Sequence, residues 1–178
     1  SNTILEYVMD TLMEDAGVAD SDIKTEELQK LPVRYESMAS GQVKAAALPA
    51  SLLALGEVNG FTVVADDTKG KNISQSVMIV NSKFASDEAG QKTVDAMKEA
   101  WNKAVEKINA KPSDFRELLV EKASLPAPIA KTYEVSTYPT CQLPEQEMVD
   151  NVLTWMKKKD YLADGITYDA KTGTFSGR

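Results

Sequence analysis

The chain has 178 residues, 43% hydrophobic and 26% charged, with a formal net charge of −7. That length allows one ordinary domain or two small lobes, the composition argues against a disordered chain, and the charge argues against a general nucleic-acid or acidic-membrane surface. Histidine is absent and Cys141 is the one cysteine, which excludes a Ser-His-Asp triad, a Cys-His pair, a His-bearing zinc site and an internal disulfide.

Residues 3–16 predict a helix. Thr3 and Glu6 have capping-box spacing, Leu5, Val8, Leu12 and Ala16 share a face, and Gly17 is a natural stop. "DIKTEEL" (22–28) is a weak strand pattern. A second helix begins near Pro32 and stops at Gly41, with Leu31, Tyr35 and Met38 on one face. "QVKAAAL" (42–48) reads as a strand covered on both faces. Pro49 opens a helix carrying Leu52, Leu53 and Leu55, stopped by Asn59-Gly60. "FTVVA" (61–65) and "ISQSVMIV" (73–80) read as strands from their β-branched content.

This alternation predicts α/β layering around a largely parallel sheet. Beyond residue 85 the pattern turns helical. Ser86 is the expected cap of a long helix ending before Pro112, with Val94, Met97, Trp101, Ala104, Val105 and Ile108 in phase. Ser113 would cap a short helix through Lys122. A proline-rich loop follows, and then a helix from Pro144 with Met148, Val152, Trp155 and Met156 inward. The tail from Asp164 onward is polar and weakly patterned.

Two helix starts are candidate binding elements: Ser1-Asn2-Thr3, and Pro49-Ala50-Ser51 after Leu48. Each would present free backbone N–H groups and a partial positive charge beside small side chains. In open α/β sheets such turns lie where ligands bind. Capping alone also accounts for Thr3, and helix initiation alone for Pro49. Glu26-Glu27, Asp66-Asp67 and Glu145 with Glu147 read as solvated pairs rather than catalytic dyads. Arg34 lies in a first helical turn, where it would pair with Glu26, Glu27 or Glu36, or reach an anionic ligand. Neither catalytic nor metal-binding residues are expected, and no cofactor.

"SNTILEYVMDTLMEDAGV", "LPVRYESMASGQVKAAALPASLLALGEVNGFTVVADD" and "LPEQEMVDNVLTWMKKKDYL" carry a resemblance. Together, in this order, they resemble the solute-binding proteins of bacterial ABC importers, in the branch that includes nitrate-, sulfonate- and thiamine-precursor-binding proteins. The resemblance implies an α/β, type-II periplasmic-binding-protein-like fold. Residues 1–74 would form most of the second lobe without its first strand. Residues 75–178 would supply a return strand and the C-terminal helices of the first lobe. The N-terminal part of that lobe would be absent, making this a C-terminal fragment whose unpaired sheet edges favour self-association.

The implied function is extracytoplasmic, in a periplasm or lipid-anchored on the outer face of the cell membrane. A small organic or anionic solute would be captured between the lobes and passed to an ABC permease. Neither nucleic acid nor any other membrane contact is implied. The family's cleft contacts carry over to Ser1, Asn2, Thr3, Pro49, Ala50 and Ser51. Ala50 and Ser51 stand where the family often has Glu-Pro, so an acidic group is missing, and Lys44 stands where Asp is common. Related pyrimidine-making enzymes use a histidine and a cysteine-rich iron motif, and this chain has neither. The alternative is a ligand-sensing effector domain of a transcriptional regulator with the same bilobed fold. An enzyme working through carboxylates or lysine is a third.

Overall fold

A computed structural model describes residues 3–68, 73–74 and 76–177. The chain divides into two compact units, one spanning Ser1–Gln75 with Pro144–Arg178 and the other Ser76–Leu143.

The first unit contains helices α1 (Ile4–Asp15), α2 (Leu31–Ala39) and α3 (Ala50–Val58). A fourth helix of this unit, α6 (Gln146–Lys158), and a hairpin, β1 (Thr167–Asp169) with β2 (Thr174–Ser176), come from the end of the chain. Thr3 caps α1, its side chain accepting the Glu6 N–H at 3.4 Å. Helices α1, α2 and α3 end in Schellman motifs: Val18 N–H reaches back to the Met13 carbonyl, Gln42 to Ser37 and Phe61 to Gly56. Helix α6 ends the same way, with Asp160 rather than glycine at the left-handed position (φ 58°).

Helix α6 is tied to α1 by a polar and aromatic clamp. Tyr7 is buried and meets the Trp155 ring edge-on at 5.3 Å, and Trp155 meets Tyr161 at 5.6 Å. The indole Nε1–H of Trp155 donates to Asp10 Oδ2 at 2.8 Å, and Lys159 Nζ lies 2.8 Å from the same oxygen. Tyr161 donates its hydroxyl to Glu6 at 2.9 Å. Burial raises the Tyr7 phenol above its ordinary pKa, partly offset by Thr11, and the hydrogen bond to Asp10 raises that of Lys159. The helical phase predicts only that Trp155 faces inward; its ring does, and its N–H is also directed at a carboxylate.

The hairpin pairs antiparallel with Tyr168 opposite Phe175, and buried Tyr168 donates its hydroxyl to the Pro144 carbonyl at 3.1 Å. Gln146 reads both sides of the hairpin's first strand, donating to the Tyr168 carbonyl and accepting from the Ala170 N–H.

The second unit holds α4 (Glu88–Ala110) and α5 (Arg116–Lys122). The cap of α4 is Asp87, whose Oδ1 accepts the Gly90 N–H at 2.8 Å, and not Ser86, which lies in the preceding 3₁₀ turn. The carboxylate adds favourable charge at the dipole's positive end, which a hydroxyl lacks. Likewise Ser113 makes no cap; it sits inside the 3₁₀ turn Pro112–Phe115 that leads into α5. Helix α5 closes in another Schellman motif, with Ser124 at φ 49°. Gly90 allows α4 to start against the preceding turn, since a Cβ there would land on the Phe84 carbonyl.

Three side chains of α4 hold the segment 138–141. Asn109 brackets Tyr138, donating to its carbonyl at 2.8 Å and accepting its N–H at 2.9 Å. Asn102 accepts the Cys141 N–H at 2.8 Å, and Trp101 donates to the Pro139 carbonyl at 3.4 Å. Within the predicted apolar stripe of α4, Val105 is buried but Met97 and Trp101 are 45% and 52% exposed.

The segments predicted as strands at 22–28, 42–48, 61–65 and 73–80 join no β-ladder among the described residues. The one sheet there is the β1–β2 hairpin, in the tail whose sequence is polar and weakly patterned. Periodicity marks a segment able to pair, but pairing needs a partner that local sequence does not specify.

Candidate ligand-binding site

Ser1 and Asn2 lie outside the described residues. Thr3 is exposed at the start of α1, where the Glu6 and Tyr7 N–H groups return to its carbonyl. The N–H groups of Ile4 and Leu5 have no acceptor among the described residues.

The start of α3 has the same character. Pro49, in extended conformation, is the N-cap and supplies no side-chain hydrogen bond; its carbonyl takes the N–H groups of Leu52 and Leu53. The Ala50 and Ser51 N–H groups have no acceptor among the described residues, with Ala50 exposed and Ser51 half-buried. Two orphan donors thus stand at the positive end of the α3 dipole, beside a methyl and a small hydroxyl.

Arg34 positions this turn. Its Nε and Nη2 donate to the Leu28 carbonyl at 3.1 and 2.9 Å, and its Nη1 donates to the Ala47 carbonyl at 2.9 Å. Two of the planar fork's donors grip one stretch of backbone while a third grips another, fixing the chain just before Leu48-Pro49. Among the described residues Arg34 makes no ion pair, so the expected pairing with Glu26, Glu27 or Glu36 gives way to carbonyl binding. The sequence carries a signal for that role: a cation in a first helical turn gains nothing from the dipole and needs another reason to be there. The far end of α3 is fixed too. Asn59 donates to the Tyr35 hydroxyl at 2.6 Å, and the Tyr35 and Phe61 rings meet edge-on at 6.3 Å.

No hydrogen bond, ion pair or ring contact among the described residues joins the Thr3 turn to the Pro49–Ser51 turn. The carboxylate pair Asp66-Asp67 organises its own loop: Asp66 accepts from the Thr68 N–H and hydroxyl, and Asp67 from the Ser74 N–H at 3.2 Å. Among the described residues no group of three or more Cys, Asp or Glu could hold a metal ion, and no helix is long and apolar enough to cross a membrane.

No protein-family model matches the chain, and no curated protein or solved structure is significantly similar to it.

Proposed function

We propose that this chain is the extracytoplasmic substrate-binding component of an ABC importer, with an α/β, type-II periplasmic-binding-protein-like architecture, taking up a small organic or anionic solute. The observation that carries the reading is the pair of N–H groups at Ala50 and Ser51, without an acceptor among the described residues, at a helix start pinned by Arg34. Backbone amides at a helix N-terminus are ready-made donors for a nitrate or sulfonate oxygen or a pyrimidine ring nitrogen. The Thr3 turn contributes the second set of donors, and the two lobes close on the solute, shifting a population rather than performing chemistry.

Calorimetry on the full chain with nitrate, an alkanesulfonate and an aminopyrimidine tests this. One of the three is expected to bind, and Ala50→Pro to weaken it at least tenfold, because proline is tolerated at the first helical position while deleting one donor. Absence of heat across a broad solute library, or unchanged affinity in Ala50→Pro, overturns the proposal.

A further inference from the structure

The chain passes from the second unit back to the first between Leu143 and Pro144, and a hydrogen bond holds it close to each side of that step. On the second unit, Asn102 of α4 accepts the Cys141 N–H at 2.8 Å. On the first, Tyr168 of β1 donates to the Pro144 carbonyl at 3.1 Å. Only Gln142 and Leu143 lie between the two holds, so at ~3.3–3.6 Å per residue the crossing reaches at most about 11 Å. Farther back, Trp101 donates to the Pro139 carbonyl and Asn109 brackets Tyr138. Residues 134–143 make no other hydrogen bond among the described residues, and the next hold upstream is the Tyr133 N–H on the Ile129 carbonyl at 2.8 Å. Without the three α4 side chains, all of 134–143 would separate the holds and the reach would rise to about 38 Å. We propose that Trp101, Asn102 and Asn109 form a latch that sets the length of this tether, and with it the range over which the two units move.

The chemistry of the latch suits reversible release. All four bonds go to backbone groups of the strap, so its side chains play no part in the grip. The bonds are solvent-exposed and join neutral groups, so water replaces them at little net cost and the strap comes away without unfolding α4. The three holds act in series. Asn102 grips nearest the crossing, so losing Asn109 alone leaves the tether short. Losing Asn102 moves the last hold back to Pro139, for a reach of about 17 Å. The other crossing, between Gln75 and Ser76, offers no comparable restraint: Ser76–Val80 make no hydrogen bond among the described residues. The latch operates whatever solute the chain binds.

Double electron–electron resonance on the full chain tests this, with spin labels at Glu57→Cys in α3 and Ala96→Cys in α4, both exposed positions. A Cys141→Ser background removes the native thiol and keeps the latch, to which Cys141 contributes only its N–H. The native latch is expected to give one narrow distance distribution. Asn109→Ala should leave its width unchanged, and Asn102→Ala should broaden it. Trp101→Phe, Asn102→Ala and Asn109→Ala combined should broaden it at least twofold, with far-UV circular dichroism unchanged. Inserting Gly-Ser-Gly-Ser between Gln142 and Leu143 lengthens the tether while leaving α4 intact, and should broaden the distribution as well. A native distribution already as broad as that of the triple variant overturns the proposal. So does an unchanged width in either the triple variant or the insertion variant, or equal broadening by Asn109→Ala and Asn102→Ala alone.

Discussion

Asp10→Ala is the most informative single perturbation of the first unit. Asp10 Oδ2 accepts the Trp155 indole N–H and holds Lys159, each at 2.8 Å, and its side chain is only 20% exposed. Removing a charged acceptor from a part-buried donor costs about 1.5–3 kcal/mol. The ion pair adds only ~0.2–1 kcal/mol, because the Lys159 side chain is 36% exposed and solvent screens it. The expected loss is therefore about 2–3 kcal/mol for Asp10→Ala, against about 1 kcal/mol for Asp10→Asn, whose amide oxygen still accepts from the indole. Urea unfolding followed by Trp155 fluorescence in a Trp101→Phe background reads this unit alone. The pair also predicts a pH dependence. Lys159 is raised above its ordinary 10.5 in the folded state, chiefly by its hydrogen bond to Asp10. Its stabilisation is thus complete below 10.5 and lost as pH climbs through the raised value. The native chain should lose stability more steeply above that pH than Asp10→Ala does. A loss under about 0.5 kcal/mol for Asp10→Ala, or equal losses for the Ala and Asn variants, would refute the clamp as a source of stability.

The second unit gives three further tests. Gly90→Ala should destabilise by about 1–3 kcal/mol, because the new Cβ meets the Phe84 carbonyl; helix propensity alone predicts a gain of ~1 kcal/mol, so thermal unfolding decides by sign. Ser124→Gly should stabilise by about 0.5–1 kcal/mol by relieving the left-handed conformation at φ 49°, and a measured loss would contradict the Schellman assignment. Asn109→Ala should speed hydrogen exchange at the Tyr138 amide at least tenfold while sparing Cys141, which Asn102 holds separately; equal acceleration at both would show that the segment opens as one piece.

The helices were largely legible in the sequence because their signals are local. Thr3, Gly17, Pro32, Gly41 and Asn59-Gly60 mark boundaries that hydrogen bonds within a few residues enforce. Where two caps compete, as Ser86 and Asp87 do, a one-residue choice depends on carboxylate against hydroxyl and is easily missed. The segments read as strands join no ladder among the described residues, since a ladder is a property of two segments that local sequence does not specify. The C-terminal hairpin went unread because its strands are three residues each and only Tyr168 is buried. At the candidate site the Ala50 and Ser51 donors follow directly from the Pro49 helix start. The Arg34 grip on Leu28 and Ala47 does not, because sequence gives the donor's type but never which carbonyls a turn will bring within reach.

The clamp between α1 and α6 joins residues 145 and 155 positions apart, Asp10 to Trp155 and Glu6 to Tyr161. During synthesis, therefore, α1 waits through the more than 100 residues that separate it from α6, with the Tyr7 face uncovered meanwhile. Ser76–Leu143, a compact unit by itself, is made between them, so the first unit closes only after the second has been synthesised.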